Sequence, residues 1–155
     1  MQLLKRLLWP GRGRTPTTDD VARGQVRREG GEYGRAVAAF TAAIRLDPCN
    51  AAAYRSRGLT HEEAGDYEQA IADYTEAIRL DPQPADAYFQ RGNALFARDE
   101  FDRAIADYGR ALALDPGLAL AYYYRGLAYA EKGDAARGNA DQQKAVKLDP
   151  ALSKL

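Results

Sequence analysis

The most regular chemistry in this 155-residue chain belongs to three arginines and three aspartates. Arg57, Arg91 and Arg125 are each followed sixteen residues later by an acid, Asp73, Asp107 and Asp141. A guanidinium presents a planar fork of donors that matches a carboxylate. The series therefore reads in two ways: a charged ladder that holds the carboxylates of a ligand, or internal bridges that tie one segment to the next. Charged pairs are commonly structural, so bridges are the expectation. Arg23 breaks the series, because Ala39 stands where the acid should be. The remaining candidates are isolated. His61 is the sole histidine and Cys49 the sole cysteine, and together they make no metal-ligand set. There is no phosphate-cradling loop, metalloprotease helix motif or nucleophile elbow. The residue types predict no catalytic group, no metal and no cofactor, hence a protein that is not an enzyme.

Bulk charge narrows the partners. Lys plus Arg and Asp plus Glu number 22 each, and the pI is near 6.6. That balance lacks the basic field of a nucleic-acid binder. Residues 1–16 hold Lys5, Arg6, Arg12 and Arg14 without an acid, so residues 17–155 carry a formal charge of −4. One cysteine excludes an internal disulfide and suits a reducing, cytoplasmic compartment. No apolar run approaches the roughly 20 residues needed to cross a bilayer. Lys5-Arg6 interrupts the first ten residues, MQLLKRLLWP, and no small-residue cleavage site follows, so they are not read as a secretory signal. Leu3, Leu4, Leu7, Leu8 and Trp9 would form one side of a short helix, ended by Pro10-Gly11 and followed by a basic linker. Three readings stay open for residues 1–9: a segment without a role, an interfacial contact with anionic lipid, or a helix that docks on a protein surface. The terminal Ser153-Lys154-Leu155 matches a peroxisomal address, and also follows from the chain's last turn.

The elements that position these residues come from a period of 34. Leu-Asp-Pro recurs at 46–48, 80–82, 114–116 and 148–150, and Arg-Gly at 23–24, 57–58, 91–92 and 125–126. A fixed period of this size marks a solenoid, whose units bury their apolar faces against neighbours. The units are 17–50, 51–84, 85–118 and 119–152, with residues 1–16 as a tail and 153–155 as the C-terminal end. Apolar spacing predicts two helices per unit, in the second unit about 52–64 and 68–80, with Gly65-Asp66 as the turn and Pro82 as the stop. Gly24, Gly58, Gly92 and Gly126 fall inside first helices, where each costs about 1 kcal/mol relative to alanine. Such a cost predicts a close crossing, with small residues twelve positions on (Ala36, Ala70, Ala104, Gly138) as the facing partners. Ala43, Ala77, Ala111 and Ala145 form a second small row, suited to approach by the next unit.

The pattern aromatic-x-x-x-Gly-x-x-large, then Ala-x-x-x-aromatic-x-x-Ala and Asp-Pro, is carried by Tyr88, Gly92, Leu95, Ala104, Tyr108, Ala111 and Asp115-Pro116. It resembles the tetratricopeptide repeat family over residues 17–152. The resemblance implies an all-α solenoid of four helix-turn-helix repeats forming a short right-handed superhelix with a concave groove. It also implies an adaptor that holds a partner peptide or helix in a groove lined by first helices. Relatives that bind chaperone tails grip a carboxylate with Lys, Asn and Arg. The matching places here are Val21, Gln25, Ser56, Asp86 and Gln90, or, one unit later, Arg55, Leu59, Gln90, Leu120 and Tyr124, and neither set is a basic clamp. The end units depart from the pattern, with Asp20 and Arg27 in the first, Gly138 and Gln142 in the last.

Beside the core stripe of each first helix runs a second set of residues. It predicts a peptide-binding groove made of Arg55 and Leu59, then Phe89, Gln90, Asn93 and Phe96, then Leu120, Tyr123, Tyr124 and Leu127. The competing reading is that these aromatics only pack adjacent first helices together. The expected function is a non-enzymatic protein-protein interaction adaptor for an apolar or amphipathic segment. The alternative is a self-assembly module, a homo-oligomer built through residues 1–9 and a last helix that five trailing residues leave partly uncovered at Val146 and Leu148.

Overall fold

The computed structural model describes residues 16–155, so the readings made for residues 1–9 and the linker after them lie outside the described residues. Among the described residues eight α-helices follow one another: α1 Pro16–Glu29, α2 Tyr33–Leu46, α3 Ala51–Glu63, α4 Tyr67–Leu80, α5 Ala85–Ala97, α6 Phe101–Leu114, α7 Ala119–Glu131 and α8 Ala135–Leu148. A short 3-10 helix, Pro150–Lys154, ends the chain. No strand occurs among the described residues. The chain is an all-α solenoid of four hairpins, α1–α2, α3–α4, α5–α6 and α7–α8.

Each hairpin turns in the same way. A residue just past the first helix enters the left-handed region, Gly31 (φ 73°), Gly65 (φ 84°) and Gly133 (φ 80°), and in the third hairpin Asp99 (φ 60°). Two backbone amides then close over the helix end, as in Gly65 N–H to Glu62 O and Asp66 N–H to His61 O. Aspartate is among the few side chains that tolerate this conformation, which is why the third turn dispenses with glycine. The second helices also end alike. Asp47, Asp81, Asp115 and Asp149 turn extended before proline. Each aspartate side chain accepts the amide two residues on, from Cys49, Gln83, Gly117 and Ala151.

The mid-helix glycines correct one expectation. In the first three hairpins it is an aromatic ring, not the small residue twelve positions on, that presses on the glycine. A Cβ built on Gly24, Gly58 or Gly92 would lie 2.7, 2.9 and 2.7 Å from the rings of Phe40, Tyr74 and Tyr108. Only in the fourth does the small partner fill that role: a Cβ on Gly126 would lie 2.9 Å from the carbonyl oxygen of Gly138, and the reverse holds too. Ala36, Ala70 and Ala104 are nevertheless fully buried, and the second small row, Ala43, Ala77, Ala111 and Ala145, is buried as well.

Neighbouring first helices touch, α1 with α3, α3 with α5 and α5 with α7, while no comparable contact joins consecutive second helices. The crowded layer is the inside of the curve, so first helices line the concave face. At the C-terminal end Leu148 is 41 % exposed, as expected, but Leu152 of the 3-10 helix is buried. Five residues are thus enough to set one leucine over the last hairpin. No described helix is long and apolar enough to cross a membrane.

Candidate functional site

The arginine–aspartate series is internal. Arg57 Nε and Nη2 donate to Asp73 Oδ2 and Oδ1 at 2.8 and 2.7 Å. Arg91 makes the same fork to Asp107 at 2.7 and 2.8 Å, and Arg125 to Asp141 at 2.6 and 2.8 Å. The three aspartates are buried, so their guanidinium partners are what make burial of the charge tolerable. Those bonds hold each arginine above its already high ordinary pKa against the opposing effect of burial. Every guanidinium also lies near the ring of the tyrosine three residues before it, Tyr54, Tyr88 or Tyr122, at 5.5–5.9 Å from the centroid. Arg23 instead meets Asp20 of its own helix at 3.3 Å.

The structure adds a bond that the residue pattern did not suggest. Arg57 Nη1 donates to Thr41 Oγ1 of the preceding hairpin at 3.0 Å, and Arg91 Nη1 to Thr75 Oγ1 at 3.1 Å. Each arginine therefore straps two hairpins. At the last junction Gly109 takes the threonine's place, so Arg125 has no hydroxyl to reach there. The signal was available, since Thr41 and Thr75 both stand sixteen residues before an arginine.

On the concave face the predicted residues sort into three groups. The first is a set of rings centred on Tyr124. Phe89 lies 6.0 Å from it, Tyr123 5.5 Å, Phe96 6.4 Å, and Tyr108 of α6 stacks on it at 6.3 Å. Phe96 also meets Phe101 edge-on at 5.3 Å. The rings bridge α5 and α7, yet Phe89, Phe96, Tyr123 and Tyr124 all stay only half-buried. They pack against one another and still present a face to solvent.

The second group is polar. Asn93 accepts from the Tyr108 hydroxyl at 2.9 Å, which leaves its amide nitrogen for other use. Gln90 has a buried carbonyl oxygen without a partner. Arg55 sits 4.0 Å from Asp86 of α5. The third group, Leu59 and Leu127, is half-buried, and Leu120 is exposed.

Glu62 stands on the same side of α3 as Arg55 and Leu59, one period before Phe96. Its carboxylate accepts from the Tyr74 hydroxyl at 2.6 Å. Burial raises the Glu62 carboxyl above its ordinary pKa, against the lowering effect of that bond. Burial, and then the charge of Glu62, push the Tyr74 hydroxyl far above its ordinary value, and burial does the same to Tyr108. Nearby, Arg28 of α1 pairs with Glu63 of α3. His61 packs 3.9 Å from both Asp66 and Asp73, and no group of residues suited to hold a metal exists among the described residues.

Tetratricopeptide repeat models match residues 21–85, 73–106, 92–133 and 119–152. Among solved structures, a crystal structure of MamA is similar with 31% identity and a TM-score of 0.79, covering 82% of this chain and 74% of that one. The TPR domain of Arabidopsis OM64 shares 28% identity at a TM-score of 0.72, over 75% of this chain and 96% of that one. The first TPR of Spaghetti (RPAP3), solved bound to an HSP90 peptide, has the same fold at 24% identity and a TM-score of 0.74, over 76% of this chain and 94% of that one. No curated protein sequence matches the chain.

Proposed function

The chain belongs to the tetratricopeptide repeat family, and we propose that it is a non-enzymatic adaptor that holds a peptide or helix from a partner protein on the concave face. The observation that carries this reading is the half-exposed cluster of Phe89, Phe96, Tyr123 and Tyr124. Rings that served only to join α5 to α7 would gain most by being sealed, since burying an aromatic side chain contributes about 25 cal/mol per Å² of apolar surface removed from water. A partner's apolar stripe supplies the missing cover. Leu120 and Leu127 extend the floor along α7, while Arg55 and the amide nitrogens of Gln90 and Asn93 offer polar contacts to a peptide backbone.

The chemistry of the partner comes from the rim. Glu29, Glu62, Glu63 and Asp86 stand at concave positions against Arg28 and Arg55, and both arginines already face acids. An amphipathic segment with apolar residues at helical spacing and basic flanks fits this surface, and an acidic tail ending in a carboxylate does not. The exposed Cys49 suits a reducing compartment, and we place the protein in the cytoplasm.

Selection of binders from a displayed peptide library tests the reading. Peptides recovered by the intact protein should be amphipathic and basic, and Leu120→Ala with Tyr123→Ala should weaken the best of them at least tenfold while the melting temperature holds. Unchanged affinity in that folded double variant would rule out the groove. Self-assembly is the second reading, favoured by the exposure of Leu148 and Leu155 at the C-terminal end. A sedimenting mass that grows with concentration, and that Leu148→Glu abolishes, would support it.

A further inference from the structure

Among the described residues from Asp20 onward, every acid that is partly or wholly buried meets an arginine, with one exception. Asp73, Asp107 and Asp141 do so at the forks. Asp20, Glu76, Glu100 and Asp134 do so with an arginine three residues on. The exception is Glu62, which is half-buried. Its Oε2 holds only the neutral hydroxyl of Tyr74, and its Oε1 has no partner and keeps contact with solvent. Arg28, one period earlier on the concave face, pairs with Glu63 instead. Glu62 also borders the rings. Phe96 lies one period on, across the contact of α3 with α5. The negative charge of Glu62 reaches the Tyr108 hydroxyl, and the Tyr108 ring stacks on Tyr124. A carboxylate that lacks a cation therefore stands at the edge of a half-exposed aromatic floor.

We propose that Glu62 sets the specificity of the groove: it receives the ammonium of a lysine in the bound segment, whose apolar side chains cover the rings of α5 and α7. This rests on the groove reading given above. A carboxylate removed from water is costly unless a cation pairs with it, and burial already works against the charge of Glu62. No fixed arginine competes for the place, since Arg28 faces Glu63 and Arg55 faces Asp86. Lysine suits the site better than arginine. The forks at Asp73, Asp107 and Asp141 use both carboxylate oxygens, whereas one oxygen of Glu62 is already taken by Tyr74. A single open oxygen matches a compact point charge rather than a planar fork. The methylene stem of a lysine can lie along the Phe96 ring while its head stays at the carboxylate. The pairing also fixes the direction of the segment, with its cation towards α3 and its apolar stripe towards α7.

A displayed library of random peptides, panned against the full-length protein and against Glu62→Gln, tests the pairing, with circular dichroism showing that both are folded. Peptides held by the intact protein should share a lysine at one fixed spacing from their apolar residues. Those held by Glu62→Gln should keep the apolar residues and lose the lysine. The best peptide of the first set is then synthesised with a fluorophore. Replacing its lysine by norleucine should weaken binding to the intact protein about tenfold, and should change nothing in Glu62→Gln. The peptide change leaves the protein untouched, so a loss of binding cannot come from misfolding. A lysine preference that is equal in the two proteins, or a norleucine effect that is equal in both, overturns the proposal and leaves the groove standing. Arginine enriched as strongly as lysine overturns it too. Peptides whose binding survives Leu120→Ala with Tyr123→Ala lie outside the groove, and they overturn both readings. So does a library from which neither protein enriches a peptide.

Discussion

In the third hairpin Gly92 lies under the ring of Tyr108, whereas in the fourth Gly126 lies against the backbone of Gly138. The helices on either side have the same lengths and the same arginine fork. What differs on the second helix at this crossing is one pair of residues: Tyr108 becomes Gln142, and Ala104 becomes Gly138. Losing the ring leaves space between the helices, and losing the methyl lets the backbones close it. The two changes compensate each other. A repeat thus keeps its shape by keeping the crossing filled, and a unit without the ring can fill it with main chain.

The largest difference between the two hairpins should appear when the filling is removed. Tyr108→Ala deletes a fully buried ring and is expected to cost about 3–5 kcal/mol, while Gln142→Ala should cost under about 1 kcal/mol, both read from urea denaturation. Next comes the reverse test, adding a methyl. Gly126→Ala meets a carbonyl oxygen that only a shift of the helix can relieve, and is expected to cost about 2–3 kcal/mol. Gly92→Ala meets a ring that can tilt, and gains about 1 kcal/mol of helix propensity, so its net loss should be the smaller. Equal losses would mean that both crossings are governed by backbone.

The junctions offer a gentler comparison. Thr75→Ala removes one hydroxyl from Arg91 and should cost about 1 kcal/mol. Gly109→Thr would give Arg125 the strap it lacks, and replaces a helical glycine as well, so thermal melting should show a gain of about 0.5–1 kcal/mol. The smallest effect is a pH dependence. Glu62 has a folded-state pKa above its unfolded value, so the folded chain binds its proton more readily. Stability from this group is therefore greatest below the ordinary carboxylate range and is lost as pH rises through the raised pKa. Glu62→Gln keeps an acceptor for Tyr74 and should flatten the melting temperature over that window. A slope unchanged in the variant would assign the dependence to other carboxylates.

Much of this was legible in the residues. The period, the helix pairs, the Asp-Pro stops and the arginine bridges all depend on local spacing, and spacing repeats wherever the chain does. What faces each mid-helix glycine was not legible. Both Ala104 and Tyr108 recur with the period, and only the angle between the helices decides which of them meets Gly92. Asp99 likewise replaces a glycine where the pattern asks for one, because the turn needs a left-handed residue rather than a particular side chain. The residues proposed to form the groove share a helix face that the spacing reveals, yet the half-burial of Phe89, Phe96, Tyr123 and Tyr124 depends on how neighbouring units pack, which no single unit encodes.

The aspartate that closes each second helix carries a last consequence. Asp47, Asp81, Asp115 and Asp149 leave their helices with φ between −133° and −140° and ψ between 92° and 102°. Each second helix therefore releases the chain in nearly the same backbone conformation, and the course of the array is built up hinge by hinge. Removing a whole unit would shorten the array and leave the remaining hinges as they are. Removing a single residue from one hinge would swing everything beyond it, so the molecule tolerates change by the module and not by the letter.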